Sequence, residues 1–163
     1  MANWAEGTLK IRGTRADIKS FLTGALKPCF PIGAGIREFI TGEKPAAPEV
    51  EIREDEYDFK MKSEDGFYIE GCRRAFVGSV DWWFEDKHQE VLVIDDFKQA
   101  WGVDATPLAE LSERYNVDLK VYVFEQGMEF NQEIEIHKGE IIKNNEITFD
   151  DYKWECIYPN LGG

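Results

Sequence analysis

Between residues 117 and 124 the chain alternates strictly. Val117, Leu119, Val121 and Val123 share one side, and Asp118, Lys120, Tyr122 and Phe124 the other. This is the period of a strand with one buried face. Just upstream, Leu108, Leu111 and Tyr115 recur at helical spacing, with Thr106 placed to accept from the first free backbone amides, Pro107 suited to the first helical position and Asn116 to the stop. The chain opens on the same two patterns in reverse order. Leu9 and Ile11 alternate within a strand from Thr8 to Arg12 that Gly13 ends, Thr14 and Asp17 resemble a capping box, and Ile18, Phe21, Leu22 and Ala25 form one helical stripe.

The middle of the chain predicts strands joined by turns. Tyr57, Phe59 and Met61 alternate with charged neighbours, Ser63-Glu64-Asp65-Gly66 supplies a turn, and Phe67 to Val77 returns as the partner strand of a hairpin. Val80, Trp82 and Phe84 then share one face, and Asp81, Trp83 and Glu85 the other. After a polar turn around Asp86-Lys87-His88, Val91 to Ile94 is a continuous apolar run suited to a central strand. Further strands are expected over 128–136, 140–143 and 146–149, with turns at His137-Lys138-Gly139 and Asn144-Asn145, and Tyr152, Trp154, Cys156 and Tyr158 alternate to the end. Residues 27–48, KPCFPIGAGIREFITGEKPAAP, are dense in Pro and Gly and read as a long irregular connection with one helical turn near Ile36 to Ile40. Strands outnumber the two helices, and each helix sits between strands. The expected fold is therefore a single α+β domain over residues 1–163, a mostly antiparallel sheet with two helices packed on one face.

Composition narrows the partners. A chain of 163 residues that is 43% hydrophobic buries one substantial core. Asp+Glu 32 against Lys+Arg 19 gives a net charge of -13, which disfavours direct nucleic-acid binding unless a local basic patch exists; Arg73-Arg74 is the only adjacent arginine pair and reads as a solvated strand end. Cys29, Cys72 and Cys156 are odd in number and widely spaced, so neither a disulfide framework nor a zinc site is indicated, and a reducing cytoplasm, that of a bacterial host cell, fits best. No charged leader with an apolar run and no stretch of about 20 apolar residues occurs, so a soluble, unexported protein without a membrane partner is expected.

No reactive constellation stands out. His88 and His137 fall in turns without a nucleophile nearby, and Gly33-Ala34-Gly35 follows a Pro-rich connection rather than a strand, so neither a catalytic triad nor a dinucleotide cofactor is expected. The acidic runs Glu54-Asp55-Glu56 with Asp58, Glu64-Asp65, Glu85-Asp86 and Asp150-Asp151 flank turns, where solvation alone places them. Asp95-Asp96 differs in ending an apolar strand, the one place where carboxylates would serve a metal-dependent hydrolase; even there no metal site is assigned. Trp4, Trp82, Trp101 and Trp154 read as packing. Trp83 shares its face with Asp81 and Glu85, which makes these three the candidate partner-binding residues.

Phe97, Ala100-Trp101, Pro107, Leu111, Tyr115, Tyr122 and the run Glu125, Gly127, Phe130 resemble the ferredoxin-like domain of the YubB-type family of phage and plasmid proteins. The opening Asn3-Trp4 with Gly7, Thr8, Leu9, Ile11 and Gly13 is similar to the start of the same proteins; Ala5 departs from it where many relatives have Cys, so no role resting on a thiol there carries over. The chain as a whole, with its ending DDYKWECIYPNLGG, also resembles small proteins of prophages in low-GC Gram-positive bacteria. The resemblance implies a ferredoxin-like fold and a mobile-element setting, and no particular activity.

The expected function is that of a cytoplasmic, phage-derived accessory protein that binds a host or phage protein and does not catalyse. One variant has the carboxylates mimic nucleic-acid phosphates and block a host defence enzyme. The competing class is a small metal-dependent hydrolase built on Asp95 or Asp96. Single-strand nucleic-acid binding on the sheet ranks last, because it needs exposed aromatics among basic groups.

Overall fold

The computed structural model describes residues 2–31, 33–84 and 90–163. In chain order its elements are β1 (Trp4–Gly13), α1 (Arg15–Ala25), β2 (Leu26–Pro28), α2 (Ala34–Thr41), β3 (Glu51–Glu54), β4 (Asp58–Lys62), β5 (Phe67–Ile69), β6 (Ala75–Val77), β7 (Val80–Trp83), β8 (Glu90–Ala100), α3 (Ala105–Arg114), β9 (Asp118–Glu125), β10 (Phe130–His137), β11 (Glu140–Thr148) and α4 (Tyr152–Glu155).

The best local signals hold. Thr14 caps α1 by accepting from the Asp17 amide at 3.1 Å, and Ile18, Phe21, Leu22 and Ala25 are all buried. Leu119, Val121 and Val123 of β9 are buried, and Asn116 adopts φ 56° as it ends α3. The cap of α3, however, is Asp104 rather than Thr106: its carboxylate accepts from the Thr106 amide at 3.0 Å, and the helix begins at Ala105. Lys138 and Gly139, both at positive φ, turn β10 into β11 as the hairpin rule requires.

The expected ferredoxin-like α+β arrangement of one sheet and two helices does not describe the molecule. Among the described residues it is mostly sheet, 44% strand against 21% helix, with an eight-stranded antiparallel sheet, a separate three-stranded sheet and four helices. The large sheet has the order β11-β10-β9-β1-β8-β6-β5-β2, and the small one β3-β4-β7. The expected hairpin accounts for much of the difference. β4 pairs with β3 and β7, while the segment from Phe67 to Val77 breaks into β5 and β6, which pair with each other in the large sheet. Partner choice between short strands depends on packing, not on their own alternation. The 27–48 connection yields β2, paired with β5, and the two-turn α2, longer than the single turn expected. Asn144-Asn145 makes no turn either, since β11 runs unbroken along β10. At the end of the chain, the alternation from Tyr152 winds into the one-turn α4, which buries Tyr152 and Cys156 and leaves Trp154 86% exposed.

One contiguous core joins both sheets, from Leu119 and Ile134 to Phe59 and Trp82. The helix α1 holds the small sheet. Its apolar stripe enters the core, while Arg15 lies 3.7 Å over the Phe84 ring and Lys19 pairs with Glu54. The other face of the large sheet is only half covered: Tyr152 and Cys156 pack on Phe124, and Gly163 exchanges backbone hydrogen bonds with Trp4 at 3.3 and 2.8 Å. No helix among the described residues is long and apolar enough to cross a membrane.

Candidate interaction surface

β7 places the first candidate residues. Val80 and Trp82 point into the core, so Asp81 and Trp83 point out, and Trp83 is 64% exposed. Its ring stacks on Tyr57, centroids 6.0 Å apart and 17° between planes, which fixes a two-ring aromatic surface in solvent. The third candidate, Glu85, lies outside the described residues. The rim is also less acidic than expected. β4 sets Lys60 opposite Asp81; its ammonium reaches Asp81 at 3.1 Å and Asp58 at 3.6 Å, and that pairing, chiefly the bond to Asp81, raises the Lys60 pKa.

A larger apolar surface lies on α2, where the sequence promised only one turn. None of its residues is buried, and Ile36, Phe39 and Ile40 are 67%, 91% and 74% exposed. Gly33 and Gly42 bracket the helix in left-handed conformations, which isolates it from what precedes and follows. The signal was present in the i, i+3, i+4 spacing of these residues; what the sequence could not show is that nothing among the described residues folds over them.

Asp95 and Asp96 have a structural role. Along β1 and β8 the register steps from Gly7↔Phe97 to Leu9↔Ile94, so β8 carries one extra residue there and the two aspartates form a β-bulge. The Asp96 carboxylate accepts from the Gly78 amide at 3.0 Å. A shallow hollow of about 250 Å³ adjoins them, lined also by Ser79 and Asp81, but among the described residues no three acidic, His or Cys side chains gather to hold a metal. His137 bonds Glu135 at 2.8 Å, and His88 lies outside the described residues. Nor do the carboxylates line one face. They spread over both sheets and many are ion-paired: Glu51 with Arg53, Glu70 with Arg114, Asp118 with Arg12, Glu133 with Lys143.

No family model, curated protein or solved structure matches the chain.

Of the residues that carry the YubB-type resemblance, Asn3, Trp4, Ala100, Trp101, Glu125 and Gly127 meet at one end of the large sheet, whereas Leu111 and Tyr115 belong to α3 and Gly13 to the far end of β1. Trp4 pairs with Ala100, the Trp101 amide donates to the Asn3 carbonyl at 2.9 Å, and the buried Glu125 carboxylate accepts from Gly127 at 2.9 Å and Met128 at 2.7 Å. Trp101 itself is 53% exposed at φ 68°, so its backbone holds the β8 exit while its ring meets solvent.

Cys72 and Cys156 are buried, and Cys29 is partly exposed. Desolvation pushes the Cys72 thiol up to about 12 and raises Cys29 more modestly. In native protein, a thiol reagent at mildly alkaline pH is expected to modify Cys29 first, and to reach the buried Cys72 and Cys156 only after unfolding. A pKa raised on folding stabilises the native state fully below the unfolded value of 9.0 and progressively less as pH climbs toward about 12. Urea midpoints should therefore fall above pH 9, and less steeply in Cys72→Ala.

Proposed function

We propose that this chain is a phage-derived accessory protein that acts by binding another protein, not by catalysis, with α2 as its principal contact. The carrying observation is the solvent exposure of Ile36, Phe39 and Ile40 at i, i+3 and i+4. That spacing is how a helix enters an apolar groove on a partner. Other large apolar side chains are exposed as well, but these three are gathered on one face of a single helix, and a contiguous exposed patch of this kind marks an interaction site. The polar side of α2 carries one Arg37 and one Glu38, not the cationic face that holds an amphipathic helix to a membrane. Trp83 with Tyr57 supplies a second apolar contact. The phage setting rests on the motif residues of the resemblance alone.

Phe39→Asp tests this reading. It unpacks nothing, so stability should stay within about 0.5 kcal/mol of wild type. Capture of a partner from phage-infected cells should be lost, and a photocrosslinker at position 39 should join to that partner. A catch unchanged by Phe39→Asp would reject α2 as the contact.

A further inference from the structure

Four strands build a row that no single stretch of sequence displays. Lys27 of β2 pairs with Tyr68 of β5, Tyr68 with Phe76 of β6, and Phe76 with Lys98 of β8. Their neighbours Leu26, Phe67, Ile69, Ala75, Val77 and Gln99 are buried, so all four row residues point away from the core, onto the half of the large sheet that the C-terminal segment leaves open. Trp4 sits edge-on to Phe76 with centroids 5.9 Å apart, and Arg74 and Lys98 lie 5.2 and 5.4 Å from its ring centre.

What sets these cations apart is their place beside aromatic rings, since other cations such as Lys10 and Lys62 also lack an ion pair among the described residues. Elsewhere on this face Arg12, Lys120 and Lys143 are each tied to carboxylates. Lys27, Arg74 and Lys98 make no ion pair among the described residues, although acids outnumber bases 32 to 19. Glu6, opposite Lys98 on β1, stays beyond ion-pair distance. Three cations without a carboxylate partner thus border the rings of adjacent strands, Arg74 and Lys98 lying over Trp4, with Tyr68 37% exposed and Phe76 half-buried. Neighbouring strands lie about 4.8 Å apart, so Tyr68 and Phe76 project from adjacent strands on one face of the sheet.

We propose that this row is a binding site for single-stranded nucleic acid: bases stack on Tyr68 and Phe76, while Lys27, Lys98 and Arg74 take the phosphates. Stacking on aromatic rings flanked by cations is how sheets hold unpaired strands without reading sequence, since every base offers a π face. A duplex hides its bases and would use only the cations. An acidic peptide would also leave the rings idle. The local basic patch that the overall charge argued against is therefore present. The site is separate from α2, so the two readings stand or fall independently.

The test titrates the full chain with fluorescein-labelled oligo(dT) of about one platform's length or more, its duplex with oligo(dA), and poly-glutamate. Oligo(dT) should bind best, with a log-log salt slope near -2 for three phosphate contacts at about -0.7 each. Tyr68→Ala should weaken binding about tenfold or more, and Tyr68→Phe, which keeps the ring, should restore it. Lys98→Ala should reduce the slope by about 0.7. Phe39→Asp should change nothing, and far-UV circular dichroism confirms that each variant folds. Absence of oligo(dT) binding, equal binding of the duplex or poly-glutamate, or indifference to both Tyr68→Ala and Lys98→Ala would overturn the proposal.

Discussion

Gly7→Ala is expected to lower the unfolding free energy by about 3 kcal/mol or more, the upper end of what overpacking costs. Gly7 lies on β1 with β8 on one side, opposite Phe97, and β9 on the other, opposite Val123. A methyl group there would collide with the Tyr122 carbonyl oxygen and come within 3.0 Å of the Val123 Cα, both backbone atoms of β9. Side chains can rotate away from a clash; a paired strand cannot. The Asp95-Asp96 bulge closes the other escape, because β8 there carries its extra residue against β1. Gly13→Ala is the control on the same strand, since its added carbon would meet only side-chain carbons at 3.3 to 3.7 Å. Urea unfolding of the two variants should separate them clearly. A Gly7→Ala midpoint equal to wild type would mean that β1 and β9 are not this close.

What the sequence revealed correctly is what local chemistry decides. The cap at Thr14 and the stripe of α1 lie within a dozen residues, so their partners are their own neighbours. The alternation of β9 persists for four periods and could not be mistaken. The cap of α3 shows where that resolution ends: Asp104 and Thr106 both suit an N-cap, and the apolar positions Leu108 and Leu111 fit either start. Tertiary contacts decide the rest. Asn144 and Asn145 have turn chemistry, yet they pair with Ile134 and Glu133 and continue an edge strand.

The candidate surfaces follow the same division. Trp83 was legible because β7 alternates, whereas its Tyr57 and Lys60 neighbours depend on β4 choosing β7 as partner. The platform row was not legible at all. β2, β5 and β6 are three residues each, too short to display a period, and only their pairing order sets Lys27, Tyr68, Phe76 and Lys98 side by side.

Glu125→Ala should cost about 2 to 4 kcal/mol, because it removes two hydrogen bonds from a carboxylate to the backbone of the turn, each worth about 1.5 to 3 kcal/mol before water takes over the freed amides. The side chain is wholly inaccessible, and its two oxygens take the Gly127 and Met128 amides separately, closing the turn between β9 and β10. No cation lies within ion-pair range among the described residues, so these amides are what make a buried carboxylate tolerable. Glu125→Gln keeps one acceptor oxygen but turns an NH2 toward the other amide, and should fall between wild type and Glu125→Ala. The effect should also travel. Gly127 leaves no room for a side chain beside the Asn3 amide group, and the Asn3 carbonyl in turn accepts from Trp101, so loosening this turn frees the start of β1 and the exit of β8 together. Hydrogen exchange gives the discriminating measurement: in Glu125→Ala the Trp101 amide should lose protection along with Gly127 and Met128, while that of Ile18 in α1 should change only by the global loss of stability. Protection at Trp101 that survives the substitution would show that the turn and the N-terminal anchor are held independently.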